Sequence, residues 1–101
     1  MTVQTHTENS VMTVFVDGEI NTLTTPELAA YLSELQGLSL LILDLERVPY
    51  VSSAGLRLFL SCLRTLKAAG GDLHIRNCNP FVMEIFQSVG YDRILHIEEK
   101  T

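Results

Sequence analysis

No lysine or arginine occurs in the first 46 residues of this 101-residue chain, which carry seven acids: Glu8, Asp17, Glu19, Glu27, Glu34, Asp44 and Glu46. All seven basic residues follow, among five further acids, and the net charge is −5. The dense basic stripe needed to follow a phosphate backbone is therefore missing, and nucleic acid is not expected as a direct partner. The asymmetry reads instead as a solvated acidic face or as one side of a protein-binding surface. No apolar run approaches the ~20 residues that span a bilayer, so no membrane is expected. Met1 to His6 offers neither the basic nor the apolar part of a signal peptide, which makes the cytosol the expected location. Cysteine is scarce. Cys62 and Cys78 form no C-x-x-C pair, and with His6, His74 and His96 they make no spaced ligand set, so neither a metal nor a cofactor is expected.

Catalytic signatures are equally sparse. Gly70-Gly71 follows a predicted helix, whereas a phosphate-cradling loop must follow a strand. The G-x-S-x-G elbow is missing, because Val51 stands two places before Ser53. A serine triad would need His74 or His96 beside Ser53, and both histidines lie in predicted strands. Asp17 and Asp44 end strands and could approach the serines, yet no spacing pairs them. No catalytic residue is assigned. The chain reads as a binding module rather than an enzyme.

With 47% apolar and 19% charged residues, the composition is that of a globular protein, and the length suits a single domain over residues 1–101. Alternating residues predict strands over 2–7 and 11–16, joined through Glu8-Asn9-Ser10 as a hairpin. Thr24 with Glu27 fits a capping box ahead of Pro26, predicting a helix to about Gln36 with Leu28, Tyr31, Leu32 and Leu35 inward. A strand over 40–45 precedes a loop containing Pro49. The next helix, over 54–68, places Leu56, Phe59, Leu60, Leu63 and Leu66 inward and Arg57, Ser61 and Arg64 outward. A strand follows over 72–76, then a helix opened by Asn79-Pro80 with Val82, Ile85, Phe86 and Val89 inward and Met83 outward. The last strand is expected over 94–97, with a frayed tail after it. The order β-β-α-β-α-β-α-β predicts an α/β fold with a mixed sheet and an antiparallel opening hairpin.

Val51-Ser52-Ser53-Ala54-Gly55-Leu56-Arg57 lies where the apolar strand ending in Asp44-Leu45 gives way to the longest helix. Backbone N–H groups at a helix start are unpaired, and the helix dipole is positive there. A serine so placed either caps the helix or presents its hydroxyl where a phosphate is well held.

Several segments together resemble the STAS domain, in particular the stand-alone bacterial anti-sigma factor antagonists. Gly18-Glu19-Ile20-Asn21 before the Thr25-Pro26 helix is similar to the family's early turn. Leu43 to Leu56 is similar to its phosphorylation-site signature, while Leu66 to Leu73 and Phe86 to Tyr91 match later landmarks. The resemblance implies an α/β STAS fold and a role in partner switching. Ser53 would be phosphorylated by an anti-sigma factor that is a serine kinase of the histidine-kinase-like ATPase type, and a metal-dependent serine/threonine phosphatase would reset it. Asn21, Ser52, Ser53, Ala54, Gly55, Arg57 and Arg64 would form the partner-binding surface. Asn21 and Ser52 stand where the family often carries Asp, which lowers the local negative charge. An STAS interaction module in a non-sigma pathway, such as secretion control or signal sensing, is the alternative that the same resemblance permits.

Overall fold

The computed structural model describes residues 1–101. Strands β1 (Thr2–Glu8) and β2 (Val11–Asp17) form an antiparallel hairpin. Asn9 and Ser10 between them both take positive φ, 52° and 62°. That is the backbone of a two-residue turn whose twist matches its strands, and a short polar side chain such as Asn tolerates it. There follow α1 (Thr25–Tyr31), β3 (Leu40–Arg47), α2 (Ser53–Ala68), β4 (Asp72–Cys78), α3 (Pro80–Ser88), a 3-10 turn at Tyr91–Arg93, and β5 (His96–Glu99). The sheet order is β1-β2-β3-β4-β5, with β2 to β5 parallel.

Each crossover moves to the adjacent strand in the same direction, so right-handed connections place the helices on one face of the sheet. Alternation along the strands agrees. Val14 and Val16, Leu41, Leu43 and Leu45, and Leu73 and Ile75 are buried in one core with Leu28, Phe59, Leu66, Val82 and Phe86. The intervening residues Thr13, Phe15, Ile42, His74 and Arg76 lie on the opposite, uncovered face.

Several expected details are corrected. The first helix stops at Tyr31 rather than near Gln36. The Leu32 N–H donates to Ala29 O, tightening the last turn, and the Ser33 hydroxyl takes Ala30 O, an acceptor the helix would have needed to continue. Leu32 and Leu35 still reach the core from irregular backbone, while Tyr31 faces solvent. The capping box does not form. Thr24 makes no side-chain cap, and its hydroxyl donates instead to Glu19 O at 2.7 Å. Val89 is exposed, and Met83 packs against the core rather than projecting outward. The last strand begins at His96 because Ile94 and Leu95 both donate to Tyr91 O in the preceding turn. The tail does not fray at once, since Lys100 N–H donates to Cys78 O at 2.8 Å.

The face of the sheet away from the core carries one buried carboxylate. Asp44, 6% exposed, accepts from Arg76 Nε at 3.0 Å, Asn77 Nδ2 at 2.9 Å and the Glu46 N–H at 3.1 Å. It therefore binds the ends of β3 and β4 together rather than approaching the serines. Both cysteines are free and buried. Burial pushes the Cys62 thiol up to about 11. Burial, then the charges of Asp44 and Glu99, push Cys78 up to about 12. Both remain thiols at neutral pH and pack as small apolar groups.

Candidate functional site at the start of helix α2

Beyond the regular strands, β2 and β3 stay tethered through their loops. Gly18 N–H donates to Arg47 O at 3.0 Å, Ile20 N–H to Tyr50 O at 3.0 Å, and Ser52 N–H to Ile20 O at 2.8 Å. Ile20 and Val51 form a parallel bridge, and both are buried. The early turn and the serine junction, joined from Ile20 to Val51 across the chain, thus become one platform. Sequence reading missed Ile20 as their link. Its only signal was an isolated apolar residue between Glu19 and Asn21.

Asn21 organises the first half of this platform. Its Oδ1 accepts from the Leu23 N–H at 2.9 Å and the Thr24 N–H at 3.0 Å, and its Nδ2 donates to Glu19 Oε1 at 3.3 Å. Its own N–H donates to Thr24 Oγ1 at 2.9 Å. The amide is therefore spent on the turn that leads into α1, a role for which an Asx side chain is suited. An aspartate there would accept the same two N–H bonds but could not donate to Glu19.

The two serines divide the roles that the sequence left open. Ser52 is the N-cap, buried to 8% exposure, and its Oγ accepts from the Gly55 N–H at 3.4 Å. Ser53 is the first helical residue and is exposed. Because Ser52 supplies the cap, the Ser53 hydroxyl is not consumed by the helix end. The first turn of α2 contains no acid, so the positive end of the dipole is not offset within the helix.

The other expected surface residues separate into two sets. Arg57 and Arg64 are exposed on α2, opposite the buried stripe of Leu56, Phe59, Cys62, Leu63 and Leu66. Ala54 is half-buried. Gly55, expected at the partner surface, is buried. A Cβ there would sit 2.6 Å from Ile20 Cγ2 and 3.0 Å from Val51 Cγ1. Glycine is needed because the first turn of α2 lies directly on the Ile20–Val51 bridge. Gly55→Ala is expected to cost about 1–3 kcal/mol through overpacking, read as a lower denaturant midpoint with an unchanged slope.

Tyr50 and Val51 part company. Val51 is buried, whereas Tyr50 stacks on Phe81 with centroids 6.4 Å apart and stays 38% exposed. Leu23, on the Asn21 loop, and Phe81 are exposed as well. An apolar rim thus accompanies the serine junction. Sequence reading had no periodicity from which to find it, since each member lies in a loop or at a helix start. No group of three or more metal-binding side chains converges anywhere in the molecule. No helix is long and apolar enough to cross a membrane.

The sequence and the fold have counterparts among known proteins. A Staphylococcus aureus (strain NCTC 8325 / PS 47) protein named anti-sigma-B factor antagonist is 29% identical over 103 residues, covering 100% of this chain and 95% of that protein. The anti-sigma factor antagonist SpoIIAA in its unphosphorylated form superposes with a TM-score of 0.83 at 22% identity, over 95% of this chain and 87% of that one. The Bacillus cell fate determinant SpoIIAA in its phosphorylated form gives 0.75 at 23% identity, over 95% and 90%. The STAS domain model matches residues 2–101, essentially every residue that builds the sheet, the helices and the serine platform. The chain belongs to the STAS domain family.

Proposed function

We propose that this protein is an anti-sigma factor antagonist that works by partner switching. Unphosphorylated, it binds a serine-kinase anti-sigma factor of the histidine-kinase-like ATPase type and so releases a sigma factor for transcription. Phosphorylation of Ser53 ends that complex, and a metal-dependent serine/threonine phosphatase restores it. The protein acts as a binding switch, not as a catalyst. The observation that carries this reading is the division of labour between the serines: Ser52 is buried in the cap while Ser53 stands exposed at the helix start. Support also comes from the similarity to a protein named anti-sigma-B factor antagonist over the whole chain.

A phosphate adds about −1.5 to −2 charges and strong acceptor oxygens. At the start of α2 the fold accommodates it, because backbone N–H groups and the dipole favour an anion. Within a closed interface the same group must lose its water, and any acid or nucleotide phosphate opposite repels it. A loss of about 3 kcal/mol weakens binding by roughly two powers of ten, enough for a switch.

Incubated with its kinase and ATP, the protein should gain one phosphate by mass spectrometry. Ser53→Ala should abolish the gain. Ser52→Ala should retain it and cost about 1 kcal/mol of stability as a lost cap. Modification that persists in Ser53→Ala and vanishes in Ser52→Ala would reverse the assignment. Ser53→Asp should keep the circular dichroism spectrum and bind the kinase about a hundredfold more weakly. Equal affinity of the two forms would refute the charge switch.

A further inference from the structure

The uncovered face of the sheet carries a pair of histidines that the switch does not use. His74 on β4 and His96 on β5 are register partners on adjacent parallel strands, and their ring centroids lie 4.4 Å apart with planes inclined by 39°. Each ring has a carboxylate two residues away along its own strand. His96 Nε2 lies 2.8 Å from Glu98 Oε1, and His74 Nε2 lies 3.6 Å from Asp72 Oδ2. Two residues is the repeat of a strand, so the carboxylates share the face of the rings. Both side chains are solvent-accessible, at 36% and 53% of their surface.

A histidine whose one ring nitrogen donates to a carboxylate is held in the tautomer that leaves the other nitrogen as a lone-pair donor. Metal-binding histidines are oriented and made more basic in this way. Here His96 Nε2 meets Glu98 at hydrogen-bond distance, while His74 Nε2 is turned towards Asp72 beyond hydrogen-bond reach, and Nδ1 is left over in each ring. We propose that His74 and His96 form a bidentate site for a borderline divalent transition ion, of the Zn²⁺ or Cu²⁺ class. Both Nδ1 atoms are the ligands, and water fills the remaining positions. Imidazole nitrogen is the preferred donor for these ions, with bonds of about 2.0–2.1 Å. Rotation of the His74 ring, which has no hydrogen bond to Asp72, opens the stack to admit the ion while His96 keeps its bond to Glu98. Only two protein ligands contribute, so the site is one of modest affinity. Asp72 also pairs with Lys67 at 3.3 Å, so Glu98 is the stronger of the two supporting acids.

His6 provides an internal control. It has the same local pattern, with Nε2 3.5 Å from Glu8 Oε2, but it lies on β1 at the far edge of the sheet with no second imidazole opposite, its neighbour on β2 being Thr13. The buried Cys62 and Cys78 thiols do not compete, being protonated and enclosed.

The test is a calorimetric titration of the untagged protein with Zn²⁺ and, separately, Cu²⁺, at mildly alkaline pH and free of chelators. One ion per chain should bind to the wild type. His74→Ala and His96→Ala should each weaken binding at least tenfold with unchanged circular dichroism, Glu98→Gln about tenfold, and His6→Ala not at all. Saturable binding that survives His74→Ala unchanged, loss of binding in His6→Ala, or no saturable binding by the wild type would each overturn the proposal.

Discussion

Phe59→Ala should lower the unfolding free energy by about 3–5 kcal/mol, the range for deleting a large buried aromatic side chain. Phe59 is fully buried in the middle of α2 and packs against Phe86 of α3, with centroids 6.1 Å apart and planes tilted by 33°. Aromatic pairs of this kind are worth about 0.5–1.5 kcal/mol beyond the area they bury. The cavity would lie where two helices share the core above β4, so neither helix can close it alone. Since small domains have roughly 5–15 kcal/mol in total, the variant should be close to unfolding at physiological temperature. Urea titration provides the measurement: the midpoint should fall sharply while the slope stays constant. Phe59→Leu should recover more than half of the loss. A midpoint within experimental error of wild type would mean that α2 is not seated on the sheet as described.

Asp44→Ala should cost about 2–4 kcal/mol by a different route. The carboxylate holds a guanidinium, a side-chain amide and a backbone N–H, and hydrogen bonds to a charged group are worth about 1.5–3 kcal/mol each without adding fully. Arg76 is 39% exposed and regains water when Asp44 is lost, which keeps the cost below that of stranding a fully buried charge. Asn77 is less fortunate. It sits at φ 62°, and Asp44 ties its amide in that left-handed conformation just before Asn79 caps α3. Asp44→Asn keeps the shape but removes the charge, and should cost less than the alanine variant. Thermal melting gives the readout, at roughly 4–8 °C per kcal/mol for a chain of this size. An Asp44→Ala variant that melts with the wild type would show that the three bonds carry no net weight.

Much of the architecture was legible because its signals are periodic. The alternation of β2 and the 3.6-residue stripe of α2 each bury a regular set of residues, and regular sets survive translation into three dimensions. What escaped depended on single hydrogen bonds. The Ser33 hydroxyl that ends α1 is one, and the Tyr91 carbonyl that delays β5 is another, accepting two N–H groups at once. The serine junction was found as a place but not as a mechanism. Sequence could offer either serine as the cap, because both types and both positions suit it. The tether from Ser52 N–H to Ile20 O decides the matter by turning Ser52 inward, and that bond spans more than thirty residues. Gly55 misled for the same reason: the resemblance placed it in the partner-binding surface, whereas its lack of a side chain serves the contact with Ile20.

The strand order has a consequence for how the molecule is made. Every strand lies beside the one before it in the chain, so none has to be inserted between two partners already paired. The hairpin of β1 and β2 can form from local contacts alone, and each later strand with its helix extends an edge that is already waiting. Synthesis from β1 towards β5 can therefore lay the sheet down in one direction, as a mason lays courses, without exposing a half-built interior gap. The last course, β5, is four residues long and is held from one side only, so unravelling should begin there.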